Sequence, residues 1–239
     1  MKEYIIEALI TLLWFGIPTA ICTGIYSLIR FKTNIPEFIF RKILHITAII
    51  MMIPIIVVPI HWWISEIVIG IITIVIIAIL LIFQRFEFYS KLFIEKRKYE
   101  VLISISIFFL LVASLIAFFW GYRNNKYYVL ISLFSWGLGD AAASIFGHLF
   151  GKHKISGKYI EGIKSIEGSI ACFIFSFIIT FVLLLTLIHM VWWLSILASL
   201  CTAIVVSFME LFTKKGLDNL TCPISAGIVL FLFSLINIL

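Results

Sequence analysis

Eight runs of apolar residues, each long enough to cross a bilayer as a helix, fill most of this 239-residue chain. They cover about 4–29, 43–60, 64–83, 101–119, 127–147, 169–188, 191–212 and 223–238, and roughly 20 helical residues suffice to traverse the hydrocarbon core. Ile dominates these runs, which would favour strands in water. In lipid a spanning segment has to close its own backbone hydrogen bonds, so helix wins. The divisions at His61-Trp62-Trp63 and at His189-Met190 are very short and predict tight helical hairpins. The chain is 63% hydrophobic and 13% charged, against about 25% charged in a soluble domain. A soluble fold of this size cannot hide so much apolar surface. The expected fold class is therefore all-α: a polytopic transmembrane helical bundle of about eight spans, forming one domain over 1–239.

Charge placement orients that bundle. Alternate connections hold Arg30, Lys32, Arg41 and Lys42; Arg85, Lys91, Lys96, Arg97 and Lys98; Lys152, Lys154, Lys158 and Lys164; and Lys214 and Lys215. The opposite side holds Lys2, Arg123 and Lys126, so 15 of the 18 basic residues share one side. The positive-inside rule makes that side cytosolic and puts both termini outside a cell membrane. The net charge of +6 implies contact with anionic lipid head groups or an anionic cytosolic ligand, and gives no reason to invoke nucleic acid. Residues 1–30 do not read as a cleaved signal, because Met1-Lys2-Glu3 with Glu7 is not net positive and the apolar run is too long. Cys22, Cys172, Cys201 and Cys222 are scattered and form no metal-binding spacing. Residues 84–100 place Phe86, Tyr89, Leu92 and Phe93 on one helical face, as expected of a helix lying in the interface.

Ionisable groups inside spans are costly and mark functional sites. Arg41, Lys42 and His45 open the second span at its basic end. Asp140 lies about two turns inside the same end of the fifth. Ser165, Glu167 and Ser169 begin the sixth, Glu210 ends the seventh, and Asp218 and Asn219 precede the eighth. These stretches converge at one depth, and Glu66 is expected to stand apart near the outer end of the third span. An outer half so poor in polar groups argues against a carrier for anionic solutes, which needs a polar path to both faces. On a helix Asp140, Ala143, Ser144, Gly147, His148 and Gly151 share one small, polar stripe. Small residues there let another helix approach, but a packing seam has no use for a carboxylate. Gly157 to Ser169, with Gly162, Gly168, Lys158 and Lys164 near a helix N-terminus, suits a phosphate. It is not a P-loop, because the glycine-to-lysine spacing is wrong. Asp140, Glu210 and Asp218, with Glu167 fourth, are candidates to hold Mg²⁺ beside phosphates.

Taken together, Arg41-Lys42-Ile-Leu-His45, Gly139-Asp140-Ala-Ala-Ala-Ser144 with Gly147 and Gly151-Lys152, Lys164-Ser165-Ile-Glu167-Gly168-Ser169, Glu210, and Asp218-Asn219-Leu-Thr-Cys-Pro223 resemble the polyprenol kinase family. That family includes dolichol kinases, phytol kinases and CTP-dependent diacylglycerol kinases. The resemblance implies transfer of the γ-phosphate of CTP to a membrane lipid alcohol with Mg²⁺, and a nucleotide site over 139–169. It implies that Arg41, Lys42, Asp140 and Gly147 matter for activity; Asp140, Lys164, Glu167 and Asp218 are the candidate catalytic residues. Arg41, Lys42, His45, Gly139, Ser144, Gly147, Gly151, Lys152, Ser165, Gly168, Ser169 and Asn219 would surround the nucleotide. The acceptor lipid and a homo-oligomeric state are left open. The family is distantly similar to phosphatidate cytidylyltransferases, the alternative. Those carry Lys-Asp and His-Gly-Gly followed by Asp-Arg near the C-terminus, and this chain has Asp218-Asn219-Leu220 and no His-Gly-Gly.

Overall fold

A computed structural model describes residues 1–86, 89, 99–157, 164–213 and 218–236. Eight of its helices are long and apolar enough to cross a membrane. They are α1 (Lys2–Lys32), α2 (Glu37–Val57), α3 (Trp62–Phe83), α4 (Glu100–Tyr122), α5 (Tyr127–Leu149), α6 (Ile166–Ile188), α7 (Trp192–Phe212) and α8 (Asp218–Ile236). The described residues contain no strand, so the chain is an all-α, multi-pass membrane protein. Most of the expected interfacial segment, 84–100, lies outside the described residues.

Apolarity marks the hydrocarbon stretch, and helices outrun it. α2 starts at Glu37, six residues before its apolar run, so Arg41 and Lys42 sit on the helix rather than in front of it. It stops at Val57, earlier than expected, because Pro59 has no N–H with which to continue the helical ladder. Trp62 and Trp63 accordingly open α3. α6 starts at Ile166 because Ser165 caps it, the hydroxyl accepting the Gly168 amide at 3.2 Å. Asp218 and Asn219 belong to the first turn of α8 and not to a loop before it. The last turns of α4 (Ile116–Tyr122) and of α6 (Leu184–Ile188) widen into π-helix, a variation no apolar pattern reveals. Thr11, Thr19, Thr23 and Ser27 on α1 each donate to the carbonyl four residues back, which satisfies their hydroxyls without water.

The chain divides into two compact units. One comprises Met1–Pro36 and Met51–Asn124, the other Glu37–Ile50 and Asn125–Leu239. In the first, α3 packs on α1 and α4. Glu7 on α1 accepts the amides of Ile60 at 2.7 Å and His61 at 3.1 Å, and its second oxygen faces His61 Nδ1 at 3.2 Å. Tyr4 meets the His61 and Trp63 rings edge-on at 5.1 and 5.0 Å. Glu66 on α3 lies beside Ala117, at the π-helical end of α4, with its Oε1 buried and without a hydrogen-bond partner. Glu66 is thus not alone at its end of the spans, because Glu7 and His61 form a second polar cluster in this unit.

In the second unit α5 packs on α6, α6 on α7, α7 on α8, and α8 returns to α5. α5 is the central helix, with 72% of its apolar stretch buried. Its small residues explain why: Gly137, Gly139, Ala141, Ala142, Ala143 and Gly147 are all buried, and such residues let helices approach where lipid offers no hydrophobic drive.

Candidate functional site

The start of α2 reaches α5 by side chains that form a graded seam. Deepest, Ile49 lies over Gly137. Next, the His45 ring meets Trp136 edge-on at 4.6 Å and 90°. Above it Lys42 Nζ donates to Asp140 Oδ2 at 2.6 Å, and His45 Nε2 lies 3.5 Å from the same oxygen. At the end of the seam Phe38 stacks on His148 at 4.4 Å. The register follows from helical spacing: 38, 42, 45 and 49 share one face of α2, and 137, 140 and 148 recur along α5. Asp140 is only 5% exposed, so its charge depends on the lysine. Arg41, one residue along, points elsewhere and is exposed.

A second ion pair closes the other side of α5. Lys164 Nζ lies 3.1 Å from Glu210 Oε1, and also donates to the backbone carbonyls of Glu210 and Thr213. Carbonyls near a helix C-terminus lack partners within the helix, and the ammonium supplies one with the matching sign for the dipole. Lys164 is also close enough to Asp140 to act on it electrostatically. Lys42, His45, Asp140, Lys164 and Glu210 therefore form one polar centre inside the second unit, with Asp140 and Glu210 buried and the other three half-buried.

Glu167 does not join it. Its carboxylate accepts the His153 ring at 2.7 Å and the His153 amide at 3.2 Å, on an exposed edge. The cause is a short antiparallel pairing, in which Ile155 donates to the Lys164 carbonyl and Ile166 to the His153 carbonyl, each at 3.0 Å. That pairing brings His153 beside Glu167. His153 was not singled out by sequence reasoning, and its position next to Lys152 was the available signal. Lys152 is exposed. Of the expected glycine and lysine phosphate loop, residues 158–163 lie outside the described residues, as does the side chain of Asp218. Asn219 is half-buried in the first turn of α8.

The small residues are packing elements. A Cβ on Gly168 would stand 2.9 Å from the Ala143 carbonyl and 3.3 Å from the Gly147 Cα, and one on Gly147 would stand 3.3 Å from the Ser165 hydroxyl. α5 and the start of α6 thus cross almost backbone to backbone. Gly139 faces α6 in the same way, where a Cβ would lie 3.1 Å from Cys172 Sγ. Gly151 is pressed against Ser165 and the Gly147 carbonyl. Ser144 passes its carbonyl to His148 at 2.8 Å, and the Ser169 hydroxyl returns to the Ser165 carbonyl at 3.2 Å. Gly168→Ala is expected to cost about 1–3 kcal/mol by overpacking, because the obstacle is backbone and cannot turn aside. A lowered melting temperature in detergent would register it, and an unchanged one would refute the tight crossing.

No three His, Cys, Asp or Glu side chains converge among the described residues. Asp140 and Glu210 each stand against a lysine instead. Their oxygens are nevertheless the hard donors that Mg²⁺ takes, and Mg²⁺ needs only one or two protein carboxylates when phosphates and water complete its shell. The donor chemistry fits a cation that arrives with a nucleotide.

The chain matches the profile of the cytidylyltransferase family over residues 4–213. No match was found among the curated proteins or the solved structures. The matched stretch runs from α1 through the end of α7 and includes every residue of the polar centre. This membrane protein belongs to the cytidylyltransferase family, which also includes CTP-dependent kinase-like members.

Proposed function

We propose that the protein is a CTP-dependent lipid-alcohol kinase, its eight spans acting as one catalytic domain with the basic connections in the cytosol and both termini outside. The observation that carries this is the Lys42–Asp140 pair, a cation and a carboxylate joined at 2.6 Å inside apolar spans. Buried ion pairs are poor devices for stability, since desolvation offsets their attraction. In a membrane such pairs mark function.

In the reaction the alcohol oxygen bonds to the γ-phosphorus and the bond from that phosphorus to the β–γ bridging oxygen breaks. CDP leaves with the electron pair, and the hydroxyl proton ends on the new phosphate ester. Such transfer needs positioning and charge stabilisation rather than covalent catalysis. Lys42 and Lys164 bring two positive charges to one centre. Asp140 fixes the direction of Lys42, and Glu210 that of Lys164. Mg²⁺, held by Asp140 or Glu210 with the phosphates, would supply further charge neutralisation. A lipid alcohol reaches this depth sideways from the bilayer, its tail in the hydrocarbon. Polyprenol, dolichol, phytol, geranylgeraniol and diacylglycerol all meet that requirement.

Synthesis of a CDP-lipid is the second reading, favoured by the family match. The absence of His-Gly-Gly near the C-terminus weighs against it. The test is to incubate purified protein and Mg²⁺ with γ-labelled CTP and a panel of these alcohols, with unlabelled ATP or GTP as competitors. A labelled phospholipid from at least one alcohol is expected. None from any alcohol would remove the kinase assignment.

A further inference from the structure

We infer that the acceptor's hydroxyl docks on His45 Nε2, in the seam where Ile49 lies over Gly137; this rests on the kinase assignment above. Three observations converge there. His45 Nε2 is buried without a hydrogen-bond partner, and buried polar atoms are nearly always paired. The nearest carboxylate oxygen, Asp140 Oδ2, is 3.5 Å away and already engaged by Lys42 at 2.6 Å. The ring is held edge-on to Trp136, so Nε2 keeps one direction.

The second observation is depth. His45 lies three residues further into the span than Lys42, hence nearly one turn deeper in the membrane. Phosphates approach Lys42 from the end of the seam marked by Phe38 and His148, and a lipid head comes from the hydrocarbon side. His45 stands on that side.

The third is the material that closes the space. A Cβ at Gly137 would lie 3.8 Å from Nε2 and would collide with the Ile49 side-chain tip. Nε2 therefore sits beside a glycine whose missing side chain leaves room that the flexible tip of Ile49 fills. Rotation of Ile49 would free that room next to Nε2 and the Asp140 carboxylate. A primary hydroxyl fits there: its O–H donates to Nε2 and its lone pairs remain free towards the phosphorus near Lys42. Asp140, sequestered by Lys42, is the poorer partner for the alcohol.

The test measures the KM for the lipid alcohol and, separately, equilibrium binding of CTP, on unaltered protein and on His45→Ala, His45→Gln, Gly137→Val and Ile49→Ala. Loss of one hydrogen bond corresponds to about tenfold in affinity at most. His45→Ala and Gly137→Val are expected to raise the lipid KM by about that factor with CTP binding unchanged. His45→Gln should recover part of the loss, and Ile49→Ala should lower the lipid KM by opening the seat. Thermal melts establish that each variant is folded, and Ile49→Ala, which only removes atoms, carries the test if Gly137→Val does not fold. Unchanged lipid KM in the folded His45 and Ile49 variants would overturn the seat. So would equal loss of CTP and lipid affinity in His45→Ala. Failure of the unaltered protein to phosphorylate any alcohol would instead overturn the kinase assignment, so the two failures are distinguishable.

Discussion

Asp140→Asn is expected to lower phosphoryl transfer by about 10²–10³-fold, the usual effect of removing one preorganised electrostatic group from a site. It is also expected to lower stability, because the Lys42 ammonium, 20% exposed, loses the negative charge it meets at 2.6 Å. Breaking one half of a buried pair costs about 3–5 kcal/mol, far more than the pair contributes when intact. The two effects separate in the double variant Lys42→Met with Asp140→Leu. With neither charge left to solvate, the melting temperature should return most of the way, as when other buried pairs are replaced by apolar groups. Activity should not return. Melts in detergent and labelled-CTP transfer, run on the same preparations, check both. Full activity in Asp140→Asn would refute its role, and a double variant as unstable as the single one would refute the pairing.

Lys164→Met is the second large effect. It takes the Lys164 ammonium from Glu210, 9% exposed, and strips the carbonyls of Glu210 and Thr213 of a donor. The expected cost is again about 3–5 kcal/mol. Glu210→Gln should be milder, since Lys164 keeps both carbonyls and the amide is a neutral neighbour. The order Lys164→Met worse than Glu210→Gln is the specific outcome to look for in thermal melts. Equal effects would mean that the carboxylate, rather than the end of α7, is what Lys164 serves. Both variants should weaken CTP binding, because Lys164 also lies near Asp140.

Much of this was legible in the sequence because membranes impose few solutions. The apolar runs gave the number of spans, and the depth of Arg41, Lys42, His45, Asp140 and Glu210 along those runs pointed to one level. Helix ends were less legible: α2 carries its charged start on the helix, and Ser165 begins α6 three residues before the apolar run does. Pairing was illegible in principle. Nothing local to Asp140 says that Lys42, 98 residues away, takes its oxygen, or that Lys164 turns towards Glu210 rather than towards a phosphate loop. Glu167 was grouped with the other acids by position along the chain. The antiparallel pairing of Lys154 with Ser165 sets it beside His153 instead. The small residues of the Asp140–Gly151 stripe let another helix approach, and Gly147 is where the start of α6, at Gly168, comes closest. The role of Glu7 is illegible in the sequence because its partners, the amides of Ile60 and His61, belong to backbone.

The most direct test of the central claim is the fate of the two ends of CTP. Purified protein, Mg²⁺ and the preferred lipid alcohol are incubated with CTP carrying one label on the γ-phosphate and another on the α-phosphate, and the extracted lipid is counted for both. The kinase assignment predicts γ label alone in the lipid, with CDP as the other product. α label in the lipid, accompanied by release of pyrophosphate, would contradict it and make the protein a nucleotidyl transferase.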